Sequence, residues 1–438
     1  MKLKFLRIFL TFILTTLSFY IDAQSLYFPP TGNNVWDTIS PTRLGWCNSK
    51  IDTFLNFLEK KNTKAFVLLK DGKIVIEKYF GNFKQDSIWY WASAGKTLTS
   101  FAVGIAQQEG YLKISDTSSK YLGKNWTNCT ETQESKITIK HQLTMSSGLD
   151  DGVTDPYCTD KLCLKYKADA GTRWAYHNAP YTLLDKVIES STGKNLNIYL
   201  SQKLLTPTGM TGLFIKSGYN NIFISTARTM ARFGLLILNK GTWNGNKLMT
   251  DTNYFTAMTN TSQNMNLSYG YLWWLNGKGK FMVPGLQYVF NYNLFPNAPN
   301  DMIAALGKNG QFINIVPSQN IVLLRMGNIP ASSEVPISFN DTIWQKINNF
   351  KCKTGEINSI SKTEVTVYPN PFTTKPKIIY NSKNANFKLV SAVGLVIYEG
   401  KNIENFDFDS LKNGIYFISC TDYNSNKTTN IKIIKNKF

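Results

Sequence analysis

Histidine is almost missing from this chain: its 438 residues contain two, His141 and His177. The six cysteines, Cys47, Cys129, Cys158, Cys163, Cys352 and Cys420, form no CxxC pair. A zinc cluster needs several such ligands at close spacing, so no metal and no cofactor are expected. Acidic residues are scarce beside basic ones, 29 against 48, for a formal charge of +19. Lys2, Lys4 and Arg7 less Asp22 carry +2 of this, leaving +17 beyond residue 23. The lysines are scattered among asparagines and form no block interleaved with aromatics, so nucleic acid is not an expected partner. Attraction to anionic envelope polymers fits the charge. Past the N-terminus no apolar run is long enough for a stable membrane span. A chain with 43% hydrophobic and 18% charged residues is globular in composition, and its length suits one large domain plus an appendage.

What is present begins with the N-terminus. Three basic residues precede the apolar run FLTFILTTLSFYI, and small residues follow it, the layout of a signal peptide over 1–23 ending at Ala23. Export makes disulfides permissible. Residues 24–48 read as an irregular arm. The spacing of Ile51, Phe54, Leu55 and Leu58 predicts a helix capped by Ser49. Two β-rich runs flank Asp71-Gly72, a hairpin signal because both turn positions need positive φ. A long apolar helix is expected from Ser93 to Gly110, and shorter ones over 180–192 and 225–239. Residues 269–276 and 311–327 read as strands, and 339–350 as a closing helix.

This order suggests an α/β (α+β) domain over 49–352, a central antiparallel sheet sandwiched by helices. If the first and last helices lie side by side and antiparallel, Cys47 can meet Cys352. Cys158 and Cys163 can close a small loop, although six cysteines allow fifteen connectivities. After a polar linker, 353–363, residues 364–438 alternate apolar and polar positions as a small C-terminal β-sandwich without a catalytic cluster.

The stretch YWASAGKT (90–97) ends like a P-loop, yet Tyr90 stands where that motif requires glycine. It also places Lys96 one helical turn after Ser93, where an amine can reach a serine hydroxyl. A serine nucleophile needs such a base. TMSSG (144–148) has Thr144 where a nucleophile elbow requires glycine, and His141 reads as structural, so a Ser-His-Asp triad is weakly supported. Two further polar stations strengthen Ser93 and Lys96: Tyr176-His177-Asn178 before a helix, and Lys308-Asn309-Gly310 before a strand.

At these residues the chain resembles the penicillin-recognising serine hydrolases, in their class C β-lactamase-like and esterase branch, over about 51–350. The resemblance implies a β-lactamase/transpeptidase-like fold with a mostly helical subdomain. It implies that Ser93 is acylated, with Lys96 and Tyr176 as base and Asn178 holding the substrate amide. Lys308 would lower the Tyr176 pKa, two ammonium groups favouring the phenolate. The backbone N–H groups of Ser93 and Gln311 would form the oxyanion hole. Asn309 replaces the usual Thr or Ser, and no Ser-Asp-Asn motif is present, so an ester, amide or peptide substrate is expected before a β-lactam. The alternatives are a class C-like β-lactamase, a D-amino-acid peptidase, or a non-catalytic peptidoglycan-binding protein on the same fold. In the tail, VYPNPF (367–372) and LKNGIYFI (411–418) resemble the C-terminal sorting domain of Bacteroidetes type IX secretion. This implies that secretion machinery as a partner and a secreted or cell-surface location.

Overall fold

Asp71 (φ 51°) and Gly72 (φ 81°) form the expected two-residue turn. They join β1 (Thr63–Lys70) to β2 (Lys73–Tyr79). This computed structural model describes residues 26–330, 335–352, 365–380, 384–422 and 427–436; the expected signal segment and linker 353–363 lie outside them. The chain divides into two compact units, Met1–Cys352 and Lys353–Phe438.

In the first unit, α1 (Asn48–Lys60) precedes β1. The later elements are β3 (Trp89–Tyr90), α2 (Lys96–Gln108), α3 (Asn178–Thr182), α4 (Leu184–Thr192), β4 (Leu213–Ser217), β5 (Asn220–Ser225) and α5 (Ala227–Leu238). They are followed by β6 (Trp274–Leu275), β7 (Ile303–Gly307), β8 (Gln311–Val316), β9 (Ile321–Gly327) and α6 (Ile337–Ile347). A six-stranded sheet runs β2-β1-β9-β8-β7-β6, with every pairing antiparallel. Its inner strands are covered on both faces, so apolar residues occupy successive positions rather than alternate ones: all of β8 and β9 are buried. A second sheet, β3-β5-β4, stands beside it.

On one side α1 meets the sheet through Phe54 on Phe66 at 5.1 Å and meets α6 through Phe57 on Phe339 at 5.8 Å. The first and last helices thus share a face, and Cys47 is bonded to Cys352. Cys158 is bonded to Cys163, and Cys129 and Cys420 are free.

Three local expectations are corrected. Helix α1 starts two residues early, with Cys47 rather than Ser49 before it, and has no side-chain cap; the Cys47 N–H is held by Phe350 O at 2.8 Å, so tertiary contacts fix the start. Ser93 does not open the α-helix: it lies in a 3-10 turn, Ala92–Gly95, and the α-helix runs only Lys96–Gln108. Of 269–276 only Trp274–Leu275 is strand, because Leu272 takes φ 63° and breaks the run.

The second unit holds β10 (Thr366–Tyr368), β11 (Lys377–Ile379), β12 (Ala385–Ser391), β13 (Val396–Gly400), β14 (Gly414–Asp422) and β15 (Lys427–Lys435). A four-stranded sheet, β13-β12-β14-β15, and a two-stranded one, β10-β11, bury Phe372, Phe387, Leu389, Ile418 and Ile433. Alternation along β12 (burial at Ala385, Phe387, Leu389) is that of a sheet with one wet face.

Candidate active site

Strand β3 leads directly to Ser93. Trp91 is fully buried, its N–H on Phe223 O at 2.8 Å and its indole Nε1 on Ser225 Oγ at 2.7 Å, both on β5. Ala92 then takes φ 48°, a conformation disfavoured for a side chain bearing Cβ, and reverses the chain into the 3-10 turn. Ser93 sits half-buried in that turn, where helix N–H groups have no acceptor in the helix itself.

Lys96 begins α2 and is 5% exposed. Its Nζ donates to Ser93 Oγ at 2.9 Å and lies 4.3 Å from the ring centre of Tyr181 and 5.4 Å from that of Tyr176. Burial pulls its pKa from 10.5 to about 7, against the opposing charge of Asp185. Asp185, on α4, is raised to about 7 by burial; its Oδ2 accepts from Asn221 at 2.7 Å, and its Oδ1 is buried without a partner.

Tyr176 stacks on Trp274 at 5.9 Å and meets Tyr269 edge-on at 6.2 Å. Trp274 is paired with Ala304 of β7, so the tyrosine is fixed to the sheet edge. Its hydroxyl interacts with Ser93, yet burial pushes its pKa up, not down. The expected lowering is therefore not seen: loss of solvation outweighs the hydrogen bond with Ser93, which favours the phenol at neutral pH. Asn178, partly buried, opens α3 two residues on. His177 is buried, and burial lowers its pKa to about 4, so it is neutral near pH 7. His141 makes a capping box with Thr138, the structural role expected of it.

The third station, Lys308-Asn309-Gly310, is a turn that leads into β8, as expected. Strand β6 covers only Ile303 and Ala304 of β7, and further along the strand Gly307 lies against Trp91 and the Ala92–Gly95 turn. At Gly307 a Cβ would stand 2.4 Å from Trp91 O and 3.2 Å from Ala94 N. The backbone there is ordinary extended chain (φ −128°), so glycine is needed for the close approach alone. Exposed Lys308 follows at the end of that edge, and Asn309 (φ 62°) and Gly310 (φ 79°) complete the turn into β8. Asn309 Nδ2 donates to Tyr90 Oη at 2.7 Å. Gln311 is fully buried on β8, one strand further in, its amide on Gly327 O at 2.7 Å. Gly307, which Lys308 follows, is thus the residue of this station next to the Ala92–Gly95 turn.

The Beta-lactamase family profile matches residues 58–338, well over half of the chain. The chain belongs to the beta-lactamase family. A secretion system C-terminal sorting domain matches residues 366–436, which points to export through the type IX system to the cell surface or beyond. An uncharacterized protein of Alkalihalophilus pseudofirmus is 25% identical over 306 residues, 61% of this chain and 84% of that protein. Among solved structures, a penicillin-binding protein homologue from Caulobacter crescentus superposes with a TM-score of 0.53 at 13% identity, covering 70% of this chain and 98% of its own. The octameric penicillin-binding protein homologue from Pyrococcus abyssi gives 0.50 at 16% identity, covering 89% and 96%. These structures share the family's fold: a mixed helix-and-sheet body. No helix among the described residues is long and apolar enough to cross a membrane.

Tyr181, Asp185, Trp274 and Gly307 are the site neighbours that motif reading passes over. Asp185 carried a faint signal, an acid placed between the buried Leu184 and Val187.

Proposed function

We propose that the protein is an exported serine acyl-hydrolase that forms an acyl-enzyme on Ser93. The observation that supports this best is the 2.9 Å contact between Lys96 Nζ and Ser93 Oγ, made by a lysine that burial holds near neutrality. With a pKa of about 7, about half of the Lys96 amines are uncharged at pH 7, against a few in ten thousand for an exposed lysine. The neutral amine takes the Ser93 proton as Oγ bonds to the substrate carbonyl carbon. The resulting ammonium lies between the Tyr176 and Tyr181 rings, with Asp185 as its nearby acid. Tyr176, a phenol, passes a proton to the leaving oxygen or nitrogen as its bond to carbon breaks, and recovers one from Lys96. Water then releases the acid by the same steps in reverse. The N–H groups of Ser93 and Lys308 would hold the oxyanion in place of the expected Ser93 and Gln311 pair, a choice supported by the approach of Gly307 to Trp91 and Ala94.

Asn178 would receive the substrate amide or ester oxygen, and Lys308 would supply positive charge at the mouth. Asn309, its amide engaged with Tyr90, offers no hydroxyl to a carboxylate, which favours esters and linear amides over β-lactams. The mature protein should be labelled by a fluorophosphonate probe, and Ser93→Ala should lose the label. A hydrolysis panel of nitrophenyl esters, nitrocefin and D-Ala-D-Ala peptides then ranks the substrates. A natural-sequence protein that stays unlabelled refutes the reading.

A further inference from the structure

Strand β9 is buried at every position, and one of them is an arginine. Arg325 is 0% exposed, and no carboxylate among the described residues pairs with it. Its five N–H donors all go to uncharged oxygens. Nε donates to Thr63 Oγ1 at 3.0 Å; Nη1 donates to Asn309 O and Gly310 O, each at 2.9 Å; Nη2 donates to Lys61 O at 2.8 Å and Asn328 O at 3.0 Å. An Arg325 guanidinium pulled down to about 9 by burial is still charged at neutral pH. A buried cation without a counter-ion is expensive, and a methionine or leucine would fill a strand interior at no such penalty. Thus the choice of arginine calls for a reason beyond packing.

The contacts supply one. A single nitrogen, Nη1, holds two successive carbonyls of the Lys308–Gly310 turn, a geometry that a planar fork can make and an alkyl chain cannot. Gly310 has room for this donor because it lacks a Cβ, which would lie 2.6 Å from Nη1. From the opposite side the same turn is held by Asn309 Nδ2 on Tyr90 Oη, three residues before Ser93. The turn is therefore fastened to the sheet beneath it and to the strand that carries the nucleophile. Between the two fastenings lies the Gly307–Lys308 peptide, against Trp91 and Ala94.

We propose that Arg325 is a positioning residue of the acyl-transfer site, acting with Asn309 and Tyr90 as a clasp that sets the gap between Ser93 and the Lys308 peptide. This rests on the reading of Ser93 as nucleophile. The clasp touches neither substrate nor leaving group. It fixes where the second oxyanion donor stands, and a displacement of about 1 Å at such a donor is felt as about a 10²-fold loss of rate.

The test is the kinetics of fluorophosphonate labelling, in which Ser93 Oγ bonds to phosphorus and fluoride leaves through the same oxyanion geometry. The labelled fraction at completion counts folded sites, and the rate constant at saturating probe reports their geometry. Arg325→Met should lower that rate constant about 10²-fold, and Arg325→Lys, which keeps the charge but not the fork, should lower it less. Tyr90→Phe should lower it too, and its effect should be non-additive with that of Arg325→Lys, because both act on one turn. A rate constant unchanged in these variants, with only the labelled fraction reduced, makes Arg325 a stability residue and overturns the clasp. If Arg325→Met yields no folded protein, Arg325→Lys and Tyr90→Phe decide the matter by the same criterion. A natural-sequence protein that does not label overturns the Ser93 reading itself, and the clasp with it; labelling with unmoved variant rates overturns the clasp alone.

Discussion

Replacing Lys96 by methionine should make the first unit more stable at neutral pH while abolishing its reactivity. The side chain is 5% exposed and its pKa falls from 10.5 to about 7. At about 1.4 kcal/mol per unit, that shift is a folded-state penalty of about 5 kcal/mol for holding the charged form. The sign follows from linkage. Between pH 7 and 10.5 the unfolded chain binds a proton at this lysine that the folded chain does not, so stability rises with pH across that window. Below pH 7 the penalty is fully present; above 10.5 it is gone. At pH 7 about 4 kcal/mol applies. Methionine escapes it but gives up the hydrogen bond to Ser93 and the contacts with two tyrosine rings, together about 1–2 kcal/mol. The net gain expected for Lys96→Met is about 2–3 kcal/mol. It should shrink by roughly 1.4 kcal/mol per pH unit on going from pH 7.5 to 9.5.

Urea unfolding followed by tryptophan fluorescence is the suitable assay. All ten tryptophans, the last being Trp344, lie in the first unit, so the signal is silent to the C-terminal one. A midpoint difference between natural and variant protein that is the same at pH 7 and 9.5 would refute the reasoning. It would mean that Lys96 keeps an ordinary pKa and must lose its proton to another group before Ser93 can act.

Tyr176→Phe should slow fluorophosphonate labelling by about 10²- to 10⁴-fold yet leave the rise of rate with pH centred near 7, because Lys96 and not the phenol titrates there. Disappearance of that rise would assign it to Tyr176. Gly307→Ala keeps an allowed backbone but puts a methyl 2.4 Å from Trp91 O. A loss of labelling rate of about 10²-fold, larger than its effect on the melting midpoint, is expected; an unchanged rate would remove the Lys308 peptide from the oxyanion hole.

What the sequence discloses depends on the range of the interaction that decides it. The Asp71-Gly72 turn and the β8 and β9 runs rest on neighbours in sequence, and they fold as read. Ser93 with Lys96 was also legible, since three residues of helical chain bring the two together whether the turn is 3-10 or α. The letters Lys308-Asn309-Gly310 stand out as a motif, whereas the close approach to Trp91 and Ala94, on either side of Ser93, is made by Gly307, which fits because it has no side chain. Nothing near Gly307 in sequence signals Trp91, which is held in place by its indole N–H on Ser225 Oγ, 134 residues away. The sign of the Tyr176 shift was missed for a related reason. Counting lysines predicts a lowered pKa, but Tyr176 is packed against Tyr269 and Trp274, and its burial raises the pKa instead. Motifs give the identity of the charges at a site, and burial decides which of them carry a proton. On the proposed mechanism, burial suits the lysine to be the base and the tyrosine to be the acid. That division in turn explains why a protein should keep Lys96 at a penalty that methionine would remove.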